Sequence, residues 1–129
     1  MIGAGVSGLS TAIVLLEAGL SVDVYAAEPP HRTTSAAAGA LWGPHLVGSD
    51  ARVPHWAGLT LDRLRALAPE PEAGVAEIPG LVATLDPAEI EPPAFTRGAG
   101  PANKCEPAEL PPGFGSGWRY SAPVVMMPA

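Results

Sequence analysis

The sequence predicts an α/β chain that opens with a short strand, a glycine-rich turn and a helix. Three glycines at the start, Gly3, Gly5 and Gly8, have the spacing G-x-G-x-x-G. In this spacing the first glycine permits a tight turn out of a strand, the second lets the backbone approach a pyrophosphate, and the third lets the helix pack closely on the strand. A helical run and a second strand follow. The start of the chain is therefore predicted to be a Rossmann-like dinucleotide-binding unit.

The helix of this unit is predicted over Val6–Ala18. Its apolar residues recur at helical spacing, and one side is expected to face the core through Leu9, Ile13 and Leu16. Gly19 follows as a left-handed stop signal, which lets Leu20 turn back toward the end of the helix. Residues 21–25 are rich in β-branched and aromatic side chains and are predicted to form the second strand.

The first strand of this unit is unusually short. Strands of globular proteins usually have about five or six residues, whereas only Met1 and Ile2 precede Gly3. We therefore expect a truncated first strand and only the N-terminal part of the fold.

An acidic residue follows the second strand. Glu28 comes after Gly8 at the spacing, about 20 residues, at which such units carry the acid that accepts hydrogen bonds from ribose hydroxyls. The glycine turn alone allows NAD, NADP or FAD. A carboxylate at Glu28 would repel the 2′-phosphate of NADP, so NADP is disfavoured.

Three consecutive hydroxyl side chains, Thr33, Thr34 and Ser35, precede the small residues 36–40. Hydroxyls of this kind are disfavoured inside a helix, but they can cap a helix or donate hydrogen bonds to a phosphate. The small residues suit either a short capped helix or a close approach of the backbone to a flat ligand. The residue types leave both alternatives open.

Composition and charge argue against several classes of partner. The net charge is −6 and the seven Lys and Arg residues form no basic cluster, which argues against nucleic acid and an anionic membrane surface. The single cysteine, Cys105, cannot form an intramolecular disulfide, and the three histidines lack metal-ligand spacing. No metal site is predicted. Glycines, hydroxyl residues and Glu17 interrupt the apolar run from Ile2 to Leu20, which is atypical of a membrane span. We expect a cytoplasmic protein.

Several segments together resemble the N-terminal portion of the D-amino-acid oxidase family of FAD-dependent oxidoreductases. The glycine turn contributes to the likeness, but the more specific segments are Thr33-Thr34-Ser35, Ala38-Gly39-Ala40-Leu41-Trp42 and Gly117-Trp118-Arg119-Tyr120-Ser121. The resemblance implies that FAD is the cofactor. It also implies a set of cofactor-binding residues, which are Gly3, Ala4, Gly5, Val6, Ser7 and Gly8 at the pyrophosphate, Ala27 and Glu28 at the adenosine ribose, Thr33, Thr34 and Ser35 along the pyrophosphate, and Gly39, Ala40 and Leu41 near the flavin.

The resemblance implies a domain organisation as well. Residues 1–70 would be the N-terminal part of a Rossmann-like FAD-binding fold, and residues 71–129 the start of a mixed-sheet substrate domain that is incomplete. A second helix is predicted over Pro54–Ala68, with Asp62 and Arg65 facing solvent and a buried side formed by Trp56, Ala57, Leu61, Leu64 and Leu67. Short strands are predicted over Val75–Ile78 and Leu81–Leu85, with a hairpin turn at Pro79-Gly80. Residues 86–117 are predicted to be an irregular loop whose acidic residues form a solvated face, and Ala122–Met127 a last strand.

By the same resemblance, the full-length enzyme would convert D-amino acids to 2-oxo acids, ammonia and hydrogen peroxide by hydride transfer to FAD, with the D-amino acid and O₂ as its partners. The family's substrate-clamping arginine lies in its C-terminal portion, so no catalytic residue is assigned here and the chain alone is expected to be inactive. Two alternatives remain. One is a related flavin amine oxidase that acts on D-aspartate or glycine, and the other is an inactive nucleotide-binding fragment.

Overall fold

The computed structural model describes residues 1–44, 50–88, 91–92, 96 and 98–126. The described part is mixed α/β and divides into two compact units, Met1–Gly39 and Ala40–Pro128. In chain order, its helices and strands are α1 (Val6–Glu17), α2 (Thr34–Ala37), β1 (Ala40–Leu41), α3 (Arg52–Leu67), β2 (Val75–Thr84), β3 (Asn103–Lys104) and β4 (Ser116–Val125).

The first unit is built on one parallel strand contact. Ile2 and Tyr25 form a parallel bridge, in which the Gly3 amide donates to the Tyr25 carbonyl at 2.8 Å and the Tyr25 amide donates to the Met1 carbonyl at 2.9 Å. The predicted order of strand, turn, helix and parallel strand is confirmed. The predicted strand over residues 21–25 is reduced to the bridge at Tyr25, because the short first strand offers it almost no partners.

The ends of α1 agree with the sequence prediction to within one residue. At its C-terminus Gly19 adopts a φ of 81°. The Gly19 amide donates to the Leu16 carbonyl at 2.9 Å, and the Leu20 amide donates to the Leu15 carbonyl at 3.0 Å. This pair of hydrogen bonds is a Schellman motif, in which a left-handed glycine satisfies the last helical carbonyls.

The buried side of α1 differs from the prediction. Ala12 is the buried residue, and Gly8 and Leu15 on the same side are half-buried. Ile13 and Leu16 were expected in the core, yet they are 49% and 55% exposed. The physical reason is the close approach of α1 to the start of the chain, which only small side chains permit. The helix consequently carries large apolar residues on its exposed side.

The second unit contains an antiparallel sheet in the order β1-β4-β2, with β3 also paired to β4. The pairing of β2 with β4 extends from Val75 opposite Val125 to Thr84 opposite Ser116. The other edge of β4 is shared, since β1 pairs near its C-terminal end and β3 near its N-terminal half. Every strand pair described in this unit is antiparallel.

The predicted hairpin at Pro79-Gly80 is wrong, because β2 continues through both residues. Pro79 lies opposite Ser121 and Gly80 lies opposite Tyr120. Proline is tolerated in a strand at the edge of a sheet, where its missing N–H need not serve a ladder. The Tyr120 ring covers Gly80 so closely that a Cβ there would lie 2.9 Å from the Tyr120 Cζ atom. Cross-strand packing therefore overrides the local turn signal.

Helix α3 begins at Arg52, two residues before its predicted start, and packs on β2 and β4. Leu61 is buried as predicted, but Trp56 is 52% exposed, and the Arg52 guanidinium lies over its ring at 5.1 Å. Arg65 was expected in solvent beside Asp62. It instead forms an ion pair with Glu77 at 3.0 Å and donates to the Ala99 carbonyl.

Trp42 connects three elements of the second unit. Its amide donates to the Pro123 carbonyl at 2.9 Å, and its indole Nε1 donates to the Ala57 carbonyl at 3.2 Å. A Cβ at Gly98 would lie 2.8 Å from the indole ring. Trp42 is thus a packing residue that fixes β1 against β4 and α3.

The segment predicted as an irregular loop contains local order where the structure describes it. β3 and a 3₁₀ turn at Pro107–Glu109 lie within it. Glu106 and Glu109 form a reciprocal capping box, and Glu109 also pairs with Arg119 at 3.1 Å. Both residues are exposed, as predicted for a solvated acidic face, and their carboxylates also hold a turn together. Glu89, another acidic residue of the segment predicted as a loop, lies outside the described residues. So does Met127, the predicted end of the last strand.

Candidate functional site

The glycine turn has the geometry that its spacing predicts. Gly3 has a φ of 98°, a left-handed conformation that L side chains rarely adopt. A Cβ at Gly8 would clash with the Gly3 carbonyl oxygen. Gly3 therefore makes the turn and Gly8 permits the contact of helix with strand. These structural roles of the first and third glycines are confirmed.

The second glycine has a different neighbour. Gly5 is the N-cap of α1, and a Cβ at this position would lie 2.9 Å from the Ser35 hydroxyl oxygen. That hydroxyl accepts a hydrogen bond from the Val6 amide at 3.0 Å. Ser35 therefore lies in the space left by the missing side chain of Gly5. It belongs to the hydroxyl segment, Thr33-Thr34-Ser35, and is 29 positions after Val6 in the sequence.

The N-terminus of α1 offers polarised amides to an anion. Gly5 supplies no side-chain cap and the first turn contains no acidic residue, so no carboxylate of this turn neutralises the positive end of the helix dipole. Val6 and Ser7 are exposed. Helix N-termini favour phosphate and other anions, because the helix dipole and the first backbone N–H groups point at the ligand. In α1 the first of these amides, that of Val6, donates to the Ser35 hydroxyl.

The hydroxyl segment acts at two helix starts. Thr33 is the N-cap of α2: its Oγ1 accepts a hydrogen bond from the Ala36 amide at 3.3 Å and donates one to the Pro30 carbonyl at 2.8 Å. Ser35, two residues later, accepts a hydrogen bond from the first amide of α1. The helix-capping alternative is confirmed for Thr33, while the contact of this segment with a phosphate stays a prediction.

Glu28 forms an exposed ion pair that sequence reasoning missed. Its Oε2 lies 3.3 Å from Nε of Arg32, and the two side chains are 50% and 66% exposed respectively. The signal was present in the four-residue spacing, but two intervening prolines argued against an ordinary helical pair. Ala27, the other residue expected at the ribose, is exposed beside Glu28.

The residues expected near the flavin are divided between the two units. Gly39 ends the first unit. Ala40 and Leu41 form β1 and pair with Val125 and Val124. The Leu41 side chain is 55% exposed, so it is accessible to a ligand on the surface of the second unit.

The first unit fits the adenosine-diphosphate end of a dinucleotide. Side-chain space is open at Gly3, the N-terminus of α1 carries no acidic residue in its first turn, and the Glu28 carboxylate is accessible. Among the described residues, no group of three or more His, Cys, Asp or Glu side chains could hold a metal ion. The same residues include no helix that is long and apolar enough to cross a membrane.

Comparisons with known proteins identify the family of the chain. The chain matches the sequence model of the FAD dependent oxidoreductase family DAO over residues 1–127. It is 42% identical to a D-amino-acid oxidase of Rubrobacter xylanophilus over 129 residues, which are all of this chain and 39% of that protein. It is 38% identical to a D-amino-acid oxidase of Streptomyces coelicolor over 92 residues, which are 70% of this chain and 29% of that protein.

The chain therefore spans about two fifths or less of the length of these relatives. The family match extends over nearly every residue, including the glycine turn, the hydroxyl segment and the sheet of the second unit. This chain belongs to the DAO family of FAD dependent oxidoreductases.

Proposed function

We propose that this chain is the FAD-binding part of an enzyme that oxidises D-amino acids to 2-oxo acids, ammonia and hydrogen peroxide. The observation that carries the proposal is the turn at Gly3 and Gly8, where the missing side chains allow α1 to start against the first strand. It is supported by 42% identity along the whole chain to a D-amino-acid oxidase.

The proposal assigns a role to each part of the site. The pyrophosphate lies at the N-terminus of α1, on the backbone of residues 3–8, with Thr33, Thr34 and Ser35 beside it. Glu28, together with the neighbouring backbone at Ala27, receives the adenosine ribose. Gly39, Ala40 and Leu41 approach the flavin ring. The exposed residues Val6 and Ser7 at the N-terminus of α1 and the exposed Glu28 carboxylate support the first two assignments.

When bound, FAD supplies the redox chemistry of the family, taking a hydride from the substrate α-carbon and passing electrons to O₂. The residues of this chain bind and orient that cofactor. No described side chain is assigned to the substrate carboxylate or to a proton transfer. We propose that these tasks belong to other parts of the full-length enzyme, which meets the D-amino acid and O₂.

The sheet of the second unit is proposed to begin the substrate domain of that enzyme. Its strand β4 carries the Gly117-Trp118 pair by which this part of the chain resembles the family. The proposed domain limits are residues 1–70 and 71–129.

A binding and activity assay tests the proposal. Calorimetric titration of the purified chain is expected to show one FAD bound per chain and tighter binding of FAD than of NADP⁺. A peroxidase-coupled assay with FAD and a panel of D-amino acids is expected to show no hydrogen peroxide. Absence of FAD binding would contradict the proposed cofactor role, and peroxide formation would contradict the assignment of substrate chemistry to other parts of the enzyme.

A further inference from the structure

We infer that Arg32 is a positioning residue for the cofactor: it holds the Glu28 carboxylate for the adenosine ribose and offsets the charge of that carboxylate near the pyrophosphate. The inference rests on the proposed function, since it concerns the adenosine-diphosphate end of FAD. It assigns a task to a side chain outside the glycine turn and the hydroxyl segment.

The backbone between Glu28 and Arg32 is held in a fixed shape. Pro29 and Pro30 restrict their own φ angles, and a 3₁₀ turn covers Pro30–Arg32. The Arg32 amide donates to the Pro29 carbonyl at 2.9 Å, and the Thr33 hydroxyl donates to the Pro30 carbonyl at 2.8 Å. This turn returns the Arg32 side chain to Glu28 just before the hydroxyl segment begins.

The ion pair leaves the carboxylate able to bind a ligand. Nε of Arg32 faces one oxygen of Glu28, Oε2, at 3.3 Å. An ionised carboxylate has about four lone-pair sites on its two oxygens, so a vicinal diol can still donate two hydrogen bonds to it. Arg32 therefore orients Glu28 without occupying its full accepting capacity.

Charge gives Arg32 a second effect. It is the only Lys or Arg among residues 1–51, whereas Glu17, Asp23 and Glu28 are acidic within the first unit. A diphosphate is anionic, and a lone carboxylate near it would repel it. Placing the one side-chain cation of the unit against the ribose-binding acid reduces that repulsion where the ligand binds.

A double-mutant cycle tests the inference. The unmodified chain, Arg32→Gln, Arg32→Lys, Glu28→Gln and the double variant are titrated calorimetrically with FAD, ADP and FMN at low salt. FMN serves as the contrasting probe, because it lacks the adenosine that Glu28 would bind. Arg52→Gln is the matched control, since Arg52 forms a similarly exposed ion pair with Asp50 in the second unit.

Arg32→Gln is expected to weaken FAD and ADP binding about three- to fivefold, the range of an exposed ion pair, and to leave FMN binding unchanged. Arg32→Lys should recover part of the loss. In the Glu28→Gln background the effect of Arg32→Gln should fall below about twofold, and Arg52→Gln should change nothing.

The inference is overturned if Arg32→Gln leaves FAD affinity unchanged, weakens FMN equally, or has the same effect with and without Glu28. If the unmodified chain binds no FAD, the proposed function and this inference fail together. If it binds FAD and only the Arg32 effects are missing, the proposed function stands and this inference alone fails.

Discussion

At the scale of single residues, two helical glycines have opposite environments. Gly8 lies in the first turn of α1, where a Cβ would overlap the Gly3 carbonyl oxygen. Gly58 lies within α3, where a Cβ would meet no atom within 4 Å. Helix propensity alone favours alanine at both positions by about 0.5–1 kcal/mol. The contact at Gly8 reverses that expectation.

We predict that Gly8→Ala lowers the free energy of unfolding by about 1–3 kcal/mol, the usual cost of overpacking, and weakens FAD binding. Gly58→Ala should raise the free energy of unfolding by about 0.5–1 kcal/mol. Urea denaturation followed by circular dichroism measures both variants. Equal stabilisation by the two substitutions would show that α1 does not lie against Gly3 as described.

The structural roles of Gly3 and Gly8 could be predicted from spacing, because the turn needs a positive φ at Gly3 and the close helix leaves no room for a side chain at Gly8. The pairing of Glu28 with Arg32 could not. It depends on a turn shape that Pro29 and Pro30 impose, and residue type alone does not specify where such a turn directs a side chain. The same holds for Ser35, whose hydroxyl bonds to an amide 29 positions earlier.

At the scale of elements, the ends of α1 agree with the local sequence signals. The buried side of α1 and the pairing of the strands differ from what those signals predict. Gly19 ends α1 because glycine adopts the left-handed conformation without help from tertiary contacts. The exposed side of α1 and the passage of β2 through Pro79 and Gly80 depend on what packs against them. The tertiary fold decides which elements pack together, so a short stretch of sequence does not reveal these contacts.

The turn at Pro107–Glu109 leads to a pH prediction. The pKa of Glu109 is lowered, first by the hydrogen bond from the Glu106 amide and then by the Arg119 guanidinium. Because the folded pKa lies below the unfolded one, the stabilisation is full above the ordinary glutamate pKa, about 4.3, and is lost as pH falls through the lowered value.

Glu109→Gln should therefore remove part of the loss of stability seen on acidification below about pH 4.3. Arg119→Gln should raise the pKa of Glu109 toward its ordinary value, as measured by the carbon chemical shift of the carboxyl group. The assigned interactions would be contradicted if the free energy of unfolding fell equally with decreasing pH in Glu109→Gln and in the unmodified chain.

At the scale of the whole molecule, the first unit exposes much apolar surface. Ile2 is 90% exposed, Tyr25 is 69% exposed, and Val14 and Leu16 of α1 are 62% and 55% exposed. A helix that is apolar on more than one side is typical of a position covered on several sides, and open strand edges favour association. The chain spans 39% of the length of the Rubrobacter relative. The exposed apolar surface of the first unit is compatible with burial against other parts of a larger enzyme.

We predict that the isolated chain self-associates as its concentration rises. Val14→Gln combined with Leu16→Gln should raise the concentration needed for association several-fold, since both residues are exposed. Light scattering coupled to size-exclusion chromatography measures this. The control Ala12→Gln alters the buried side and should instead unfold α1. Association unchanged by the double substitution would assign it to another surface.

The central claim, that FAD binds at the glycine turn, is tested most directly by hydrogen–deuterium exchange of the chain with and without FAD. We predict slower exchange in residues 1–10 and 26–41, which contain the turn, Glu28, the hydroxyl segment and the residues assigned to the flavin. Residues 50–88 should exchange at unchanged rates. Absence of protection in residues 1–10, or protection confined to the sheet of the second unit, would contradict the claim.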